Sequence, residues 1–310
     1  MRNFKQKSLT SSFTKRKFFG ISHLITLFGV IFSLFGSEIN QNLIAGIGIL
    51  SFGILHGAND LKIIAKSRVK TKSKNSFNYL ALYITIVFLG IVIFYFIPGI
   101  ALLSFVVVSC YHFGEQHWEE RLKFNKWDSL YYFTYGALIF LMLFTFHYED
   151  TTEIIFQITS LRPPFLIFLI SLIVISITVF IQFFIRLDSK STIIKETFLL
   201  GLLALLFFRG TLLFGFGMYF VVWHSFPSLR SQVNYIYDTF DKKTFFKYLK
   251  SAFIYWIIAL LGLFGAYFFL NIPSDQYLQL FFSFLAAITF PHAIVMERMF
   301  SIPHKESLLF

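Results

Sequence analysis

The chain is predicted to fold as an all-α bundle of about ten transmembrane helices, within a range of eight to ten, and three observations lead there. Of its 310 residues, 56% are hydrophobic and only 14% charged, with a mean hydropathy of +0.70. A soluble domain of this length cannot hide that much apolar surface. Several stretches run about 17 to 25 residues with almost no charge, the length that crosses a hydrocarbon core of about 30 Å as a helix. The basic residues behind the formal charge of +11 sit in short clusters beside apolar runs rather than on one soluble face. They set membrane topology and give no reason to expect a nucleic-acid partner. Cys110 is the single cysteine, so no intramolecular disulfide is available.

Residues 1–17 form a basic cytoplasmic tail ahead of a first span at 18–36, which is read as uncleaved because no small-residue cleavage site follows Gly36. Further spans are expected at 43–60, 78–97, 99–114, 129–147, 164–185, 194–208, 211–227, 251–271 and 277–297. Pro98-Gly99 separates the third from the fourth. Arg209-Gly210 interrupts an apolar run from Phe198 to Phe226 that would be too long for one crossing. Charge decides this second join. If every join is a reversal and the N-terminus is inside, 25 of the 27 Lys and Arg residues lie inside, leaving only Arg162 and Arg209 outside. Reading 198–226 as one span would send the basic residues of 230–250 outside, against the positive-inside rule. Both termini are therefore expected in the cytoplasm, in a multi-pass protein of the plasma or inner membrane. Lys62 to Asn75 reads as a basic loop, residues 18–300 as one transmembrane catalytic domain, and 301–310 as a cytoplasmic tail. The 45 phenylalanines are explained as well by A+T-biased codons in lipid-facing positions as by an aromatic pocket.

His56, His112, His224 and His292 fall near the inner ends of the second, fourth, eighth and tenth spans. Three of them precede a basic residue by six positions (Lys62, Arg230 and Arg298), or about 9 Å at the helical rise. His112 is shallower, with Glu115 one turn away. Intramembrane histidine is costly unless paired, and four at one level are what a coordination shell built from separate helices requires. Imidazole suits iron, zinc, copper or nickel. Asp60, at i+4 from His56, and Glu115, at i+3 from His112, are expected to accept the second N–H of those rings. His117 points away from His112 and reads as interfacial beside Trp118. His23 reads as a packing residue, His147 as outer-face and His304 as part of the tail, while Cys110 reads as a small core residue. No HxxxH or HxxHH box is present for a di-iron desaturase. A haem carrier would need histidines at two depths, and a His-dependent transporter would need ionisable groups in the outer half.

Four motifs now become specific as a set: HGANDLKI around His56, YHFGEQHWEE around His112, FGMYFVVWHSFPSLR around His224 and FPHAIVMERMF around His292. In order and spacing, from about residue 45 to 300, they resemble the Brp/Blh family of bacterial and archaeal membrane β-carotene 15,15'-dioxygenases. The resemblance implies a histidine-held Fe(II) that uses O2 to split the central double bond of β-carotene into two retinal molecules, with retinal supplied to a rhodopsin. His56, His112 and His224 match the family's histidine positions and carry the implied catalytic role. A further family histidine, four residues after the Trp-His motif, is Ser228 here, so His292 is taken as the fourth ligand and His117 as its substitute. Tyr111, Tyr219 and Trp223 are expected against the polyene, which should enter laterally and lie tilted or bent. The alternative is a divergent membrane metalloprotein that binds or cleaves another carotenoid or apocarotenoid.

Overall fold

A computed structural model describes residues 20–71, 78–122, 125–269, 273 and 277–307, so the basic tail at 1–17 lies outside the described residues. All of its regular elements are helices: α1 (Ile21–Phe35), α2 (Glu38–Gly48), α3 (Asp60–Thr71), α4 (Asn78–Phe96), α5 (Pro98–Trp118), α6 (Asp128–Phe146), α7 (Tyr148–Thr159), α8 (Phe165–Arg186), α9 (Lys190–Arg209), α10 (Leu212–Tyr219), α11 (Phe226–Tyr237), α12 (Lys242–Phe269) and α13 (Tyr277–Ser307). Two π-helical segments, Ile49–Gly53 and Phe220–Ser225, extend α2 and α10. Nine of the ten expected spans fall on helices in their described residues, while the second, 43–60, runs through α2 and a π segment into a turn at 56–59; the chain is an all-α membrane bundle. Seven segments are long and apolar enough to cross a membrane unaided, while Ile21–Phe35 and Ala81–Phe96 are shorter apolar helices.

The joins follow local chemistry. Pro98 starts α5 at the position where its missing N–H costs nothing. At the second join α9 ends on Arg209, Gly210 is extended, and the Thr211 hydroxyl accepts the Phe214 N–H at 3.1 Å to cap α10. In one continuous helix residues 207 and 215 would lie about 12 Å apart. A Cβ placed on Gly215 would instead touch Phe207 Cδ1 at 3.0 Å, so the chain reverses here. α12 opens on a reciprocal cap in which Thr244 N–H donates to Asp241 Oδ1 at 2.8 Å and Asp241 N–H to Thr244 Oγ1 at 3.0 Å. That backbone N–H holds the exposed Asp241 carboxyl below the usual carboxylate range.

Two elements differ from the expectation. The part of the expected basic loop that is described, 62–71, belongs to α3 (Asp60–Thr71), and 72–75 lie outside the described residues. Ile63 is fully buried against Val295, Met296, Met299 and Phe300 of α13. Lys66 donates to Ile236 O at 3.2 Å and pairs with Asp238 at 2.9 Å, satisfying the C-terminal end of α11. α7 was also not anticipated: Glu149 and Asp150 favour its first turn, and it buries Thr151, Thr152 and Ile154. Arg162, one of the two basic residues expected on the outer side, serves it by pairing with Glu153 at 2.5 Å and lying 4.3 Å over the Phe156 ring. At the other end of the chain, α13 runs through Pro291 and on to Ser307, past the expected start of the tail at 301.

The closest helix pair is α5 against α6. A Cβ on Gly114 would sit 1.9 Å from Tyr132 O, and one on Gly136 would sit 1.8 Å from Cys110 O. The two backbones therefore touch, as small-residue interfaces in membranes allow, and this contact fixes the helix that carries His112.

Candidate metal centre

Each of the four central histidines is delivered by a different local device. His112 sits on the regular helix α5. His56 lies just beyond the first π segment, at the head of a non-helical turn, 56–59. His224 lies within the second π segment, and His292 one residue after Pro291 in α13. A π turn adds a residue to the helical repeat and re-aims the chain beyond it. The two π segments also pack on each other: a Cβ on Gly53 would lie 2.7 Å from Phe220 Cε1.

The four imidazoles close a ring in the order His56, His224, His112, His292. Successive ring centroids are 5.1, 4.7, 5.2 and 4.7 Å apart, with each pair of planes near perpendicular. None of the four residues is more than 5% exposed. One ring nitrogen from each of His56, His224 and His292 lies within 4.8 Å of the other two, and His112 completes the ring through His224 and His292. Both ring nitrogens of His112, with Nδ1 of His224 and Nε2 of His292, have no hydrogen-bond partner among the described residues, and the His56 ring meets only the backbone of Phe52 and Gly53. A buried polar atom left unpaired costs about 1–3 kcal/mol, and each neutral imidazole carries one lone pair beside one N–H, so four such rings meeting at one place call for an acceptor of one lone pair from each. A divalent transition metal is such an acceptor, and the donor set fits it.

His292 Nδ1–H donates to Asp60 Oδ1 at 2.9 Å, and Tyr83 OH donates to Asp60 Oδ2 at 3.1 Å. Asp60 thus serves His292 rather than His56. The i+4 expectation presupposed a helix, and residues 56–59 form a turn. Glu115 Oε2 lies 3.8 Å from His112 Nδ1, too far for a hydrogen bond, while Tyr111 OH donates to Glu115 Oε1 at 3.2 Å.

His117 is not brought to the ring. Its Nε2 lies 3.0 Å from Glu196 Oε2, 3.0 Å from Arg121 Nη1 and 3.3 Å from Tyr135 OH. With Trp118 it is buried, in place of the interfacial position expected for the pair. His23 meets Trp223 edge-on at 5.0 Å. Ser228 is fully buried and accepts from Gln232 Nε2 at 3.0 Å.

A cavity of about 220 Å³ adjoins the ring, with all four histidines in its wall beside Phe113, Phe220, Tyr83, Leu285, Tyr255 and Ile258. Tyr111, Tyr219 and Trp223 are not among its lining residues. Tyr111 and Trp223 each neighbour a histidine in sequence, and one residue turns a helix by about 100°. Trp223 Nε1 accordingly points to Thr26 Oγ1 at 2.8 Å, and Tyr219 packs 5.9 Å from Phe113. The aromatics at the histidines are Phe113 and Phe220, which stack on His224 at 4.2 and 5.5 Å. Phe220 stands at i−4 from His224, a spacing that was open to recognition. Tyr83 carries no local signal, because it comes from a helix without a motif.

A family model described as beta-carotene 15,15'-dioxygenase matches residues 47–300 of the chain, a stretch that includes all four histidines. A curated relative, the Beta-carotene 15,15'-dioxygenase of uncultured marine bacterium 66A03, is 28% identical over 272 residues, covering 84% of this chain and 94% of its own. No solved structure matches. The chain belongs to the beta-carotene 15,15'-dioxygenase family.

Proposed function

We propose that the protein is an integral-membrane, non-haem iron dioxygenase that cleaves the central 15,15' double bond of β-carotene with O2 to give two molecules of retinal. The observation that carries this reading is the ring of four buried imidazoles with unpartnered nitrogens in the wall of an apolar cavity, in a chain of this family. His56, His112, His224 and His292 would hold Fe(II), which supplies O2 activation when bound. Asp60 holds His292 in the tautomer that turns Nε2 to the ring, and Tyr83 holds Asp60. Phe113 and Phe220 fix the plane of His224 and give the polyene an aromatic wall.

The cavity volume of about 220 Å³ falls below the roughly 300–1,000 Å³ usual for ligand pockets. It takes the reacting segment of a long polyene, and the remainder must leave through the wall. Tyr255 and Ile258 line the cavity and are also 43% and 58% exposed on the apolar exterior, which supports lateral entry from lipid beside α12. The charge asymmetry of the sequence supports cytoplasmic termini in a plasma or inner membrane. Retinal leaving the site would be available to a rhodopsin.

Expression in β-carotene-accumulating cells tests the reading. Bleaching with accumulation of retinal is expected, along with iron in the purified protein. Unchanged pigment in cells that make the folded protein would defeat the activity, and zinc or no metal in active protein would defeat the iron assignment.

A further inference from the structure

We infer that Asn59 and Tyr248 are positioning residues for His56, forming a clasp between the ligand's turn and α12. This rests on the metal reading above. His56 differs from its three neighbours in the ring because it rides on a turn, 56–59, rather than within a helical or π-helical segment. Within the turn the backbone bonds are long, with Gly57 N–H to Ile54 O and Ala58 N–H to Leu55 O at 3.2 Å and Asp60 N–H to Gly57 O at 3.4 Å; α12 adds side-chain ties at both ends. Tyr248 OH donates to His56 O at 3.1 Å, sharing its proton with Gln232 Oε1 at 2.7 Å. In the opposite sense, Asn59 Nδ2 donates to Tyr248 O at 3.0 Å, and Ser251 Oγ donates to Asn59 Oδ1 at 2.8 Å. The first and last residues of the turn are thus both tied to Tyr248, through its hydroxyl and its carbonyl.

Burial makes these bonds hard to exchange for water: Asn59 is 1% exposed and Tyr248 0%. The chain of bonds runs on through Gln232 to the hydroxyl of Ser228, where relatives were expected to carry a histidine. Tyr248 does not line the cavity, whereas Tyr255 and Ile258 on the same helix do. The clasp therefore joins the lipid-facing cavity wall to the backbone of a ring histidine, and it acts by setting how far the His56 imidazole reaches.

The test uses purified full-length protein in detergent, stripped of metal and titrated with Co(II), with hydrogen–deuterium exchange followed over residues 53–63 of the metal-free chain. Tyr248→Phe and Asn59→Ala should each bind Co(II) about 10- to 100-fold more weakly, with an altered ligand-field spectrum and faster exchange at 56–59. The carotenoid kcat should fall with KM unchanged. Tyr267→Phe, elsewhere on α12, should leave Co(II) affinity, spectrum and exchange as in the wild type. Wild-type affinity, spectrum and exchange in both clasp variants would overturn the inference. Should either variant fail to fold, Ser251→Ala, which removes one bond to Asn59, decides on the same readouts. A wild-type chain that binds no Co(II) defeats the metal reading separately. Exchange of the metal-free variants then still decides the clasp: acceleration supports it and no change overturns it.

Discussion

Two buried histidines stand five residues apart on α5 and meet opposite surroundings. His112 joins three other imidazoles at a cavity and finds no hydrogen-bond partner for either nitrogen among the described residues. His117 is held at Nε2 by Glu196 and Arg121, and Arg121 Nη1 also reaches Glu196 Oε1 at 2.8 Å. Both are buried to nearly the same extent. Burial and residue type therefore do not distinguish the two; the difference is that the protein engages Nε2 of His117, whose Nδ1 has no partner among the described residues, and neither nitrogen of His112. The second cluster ties α5 to α6 and α9 through the Glu196 carboxylate, which meets Arg121, His117 and Tyr135, while the nitrogens of the first meet one another beside a cavity.

Substitutions can break this contrast or sharpen it. The largest effect is expected from His224→Ala or His56→Ala, which should take retinal formation to background and empty the site of metal while the protein stays folded. Full activity in either would erase the distinction between the two clusters. Glu196→Gln should do the reverse, keeping metal content but losing about 1–3 kcal/mol of stability, the cost of weakening charged hydrogen bonds when Arg121, one-third exposed, can turn to water. Thermal unfolding and elemental analysis of one sample separate the two outcomes, and lost metal with unchanged stability would contradict the assignment. Asp60→Asn lies between these, because it keeps the shape but weakens the acceptor for His292. Metal affinity should drop about 10- to 100-fold, measured by titration with a chelator. The smallest effect is expected from Trp223→Phe, which gives up the bond to Thr26 for about 1 kcal/mol of stability and leaves the carotenoid KM unchanged, whereas Phe220→Ala should raise that KM.

Most of the bundle could be read from apolar length and charge asymmetry, because lipid imposes both directly on the chain. Even the hairpin at Gly210 follows from the placement of Lys and Arg. α3 and α7 could not be read in this way. Each is about three turns long, and its few buried residues, such as Ile63 and Ile154, sit among charges that mask the helical period. The four histidines were legible as a set because common depth is a property of sequence distance from anchoring charges. Their partners were not. Asp60 was assigned by helical spacing across a turn, and Trp223 was placed at the substrate by nearness in sequence to His224. Tyr83, Tyr248 and Glu196 come from remote helices, and only tertiary packing reveals what they serve.

The two π segments make the number of residues, and not only their identity, part of the site's specification. A π turn takes one residue more than an α turn in nearly the same length of helix, so it shifts by one position, about 100° of helical phase, which residue beyond it faces a given side. Counted as uninterrupted α-helix from Glu38, the sequence would aim His56 in another direction although every motif is unchanged.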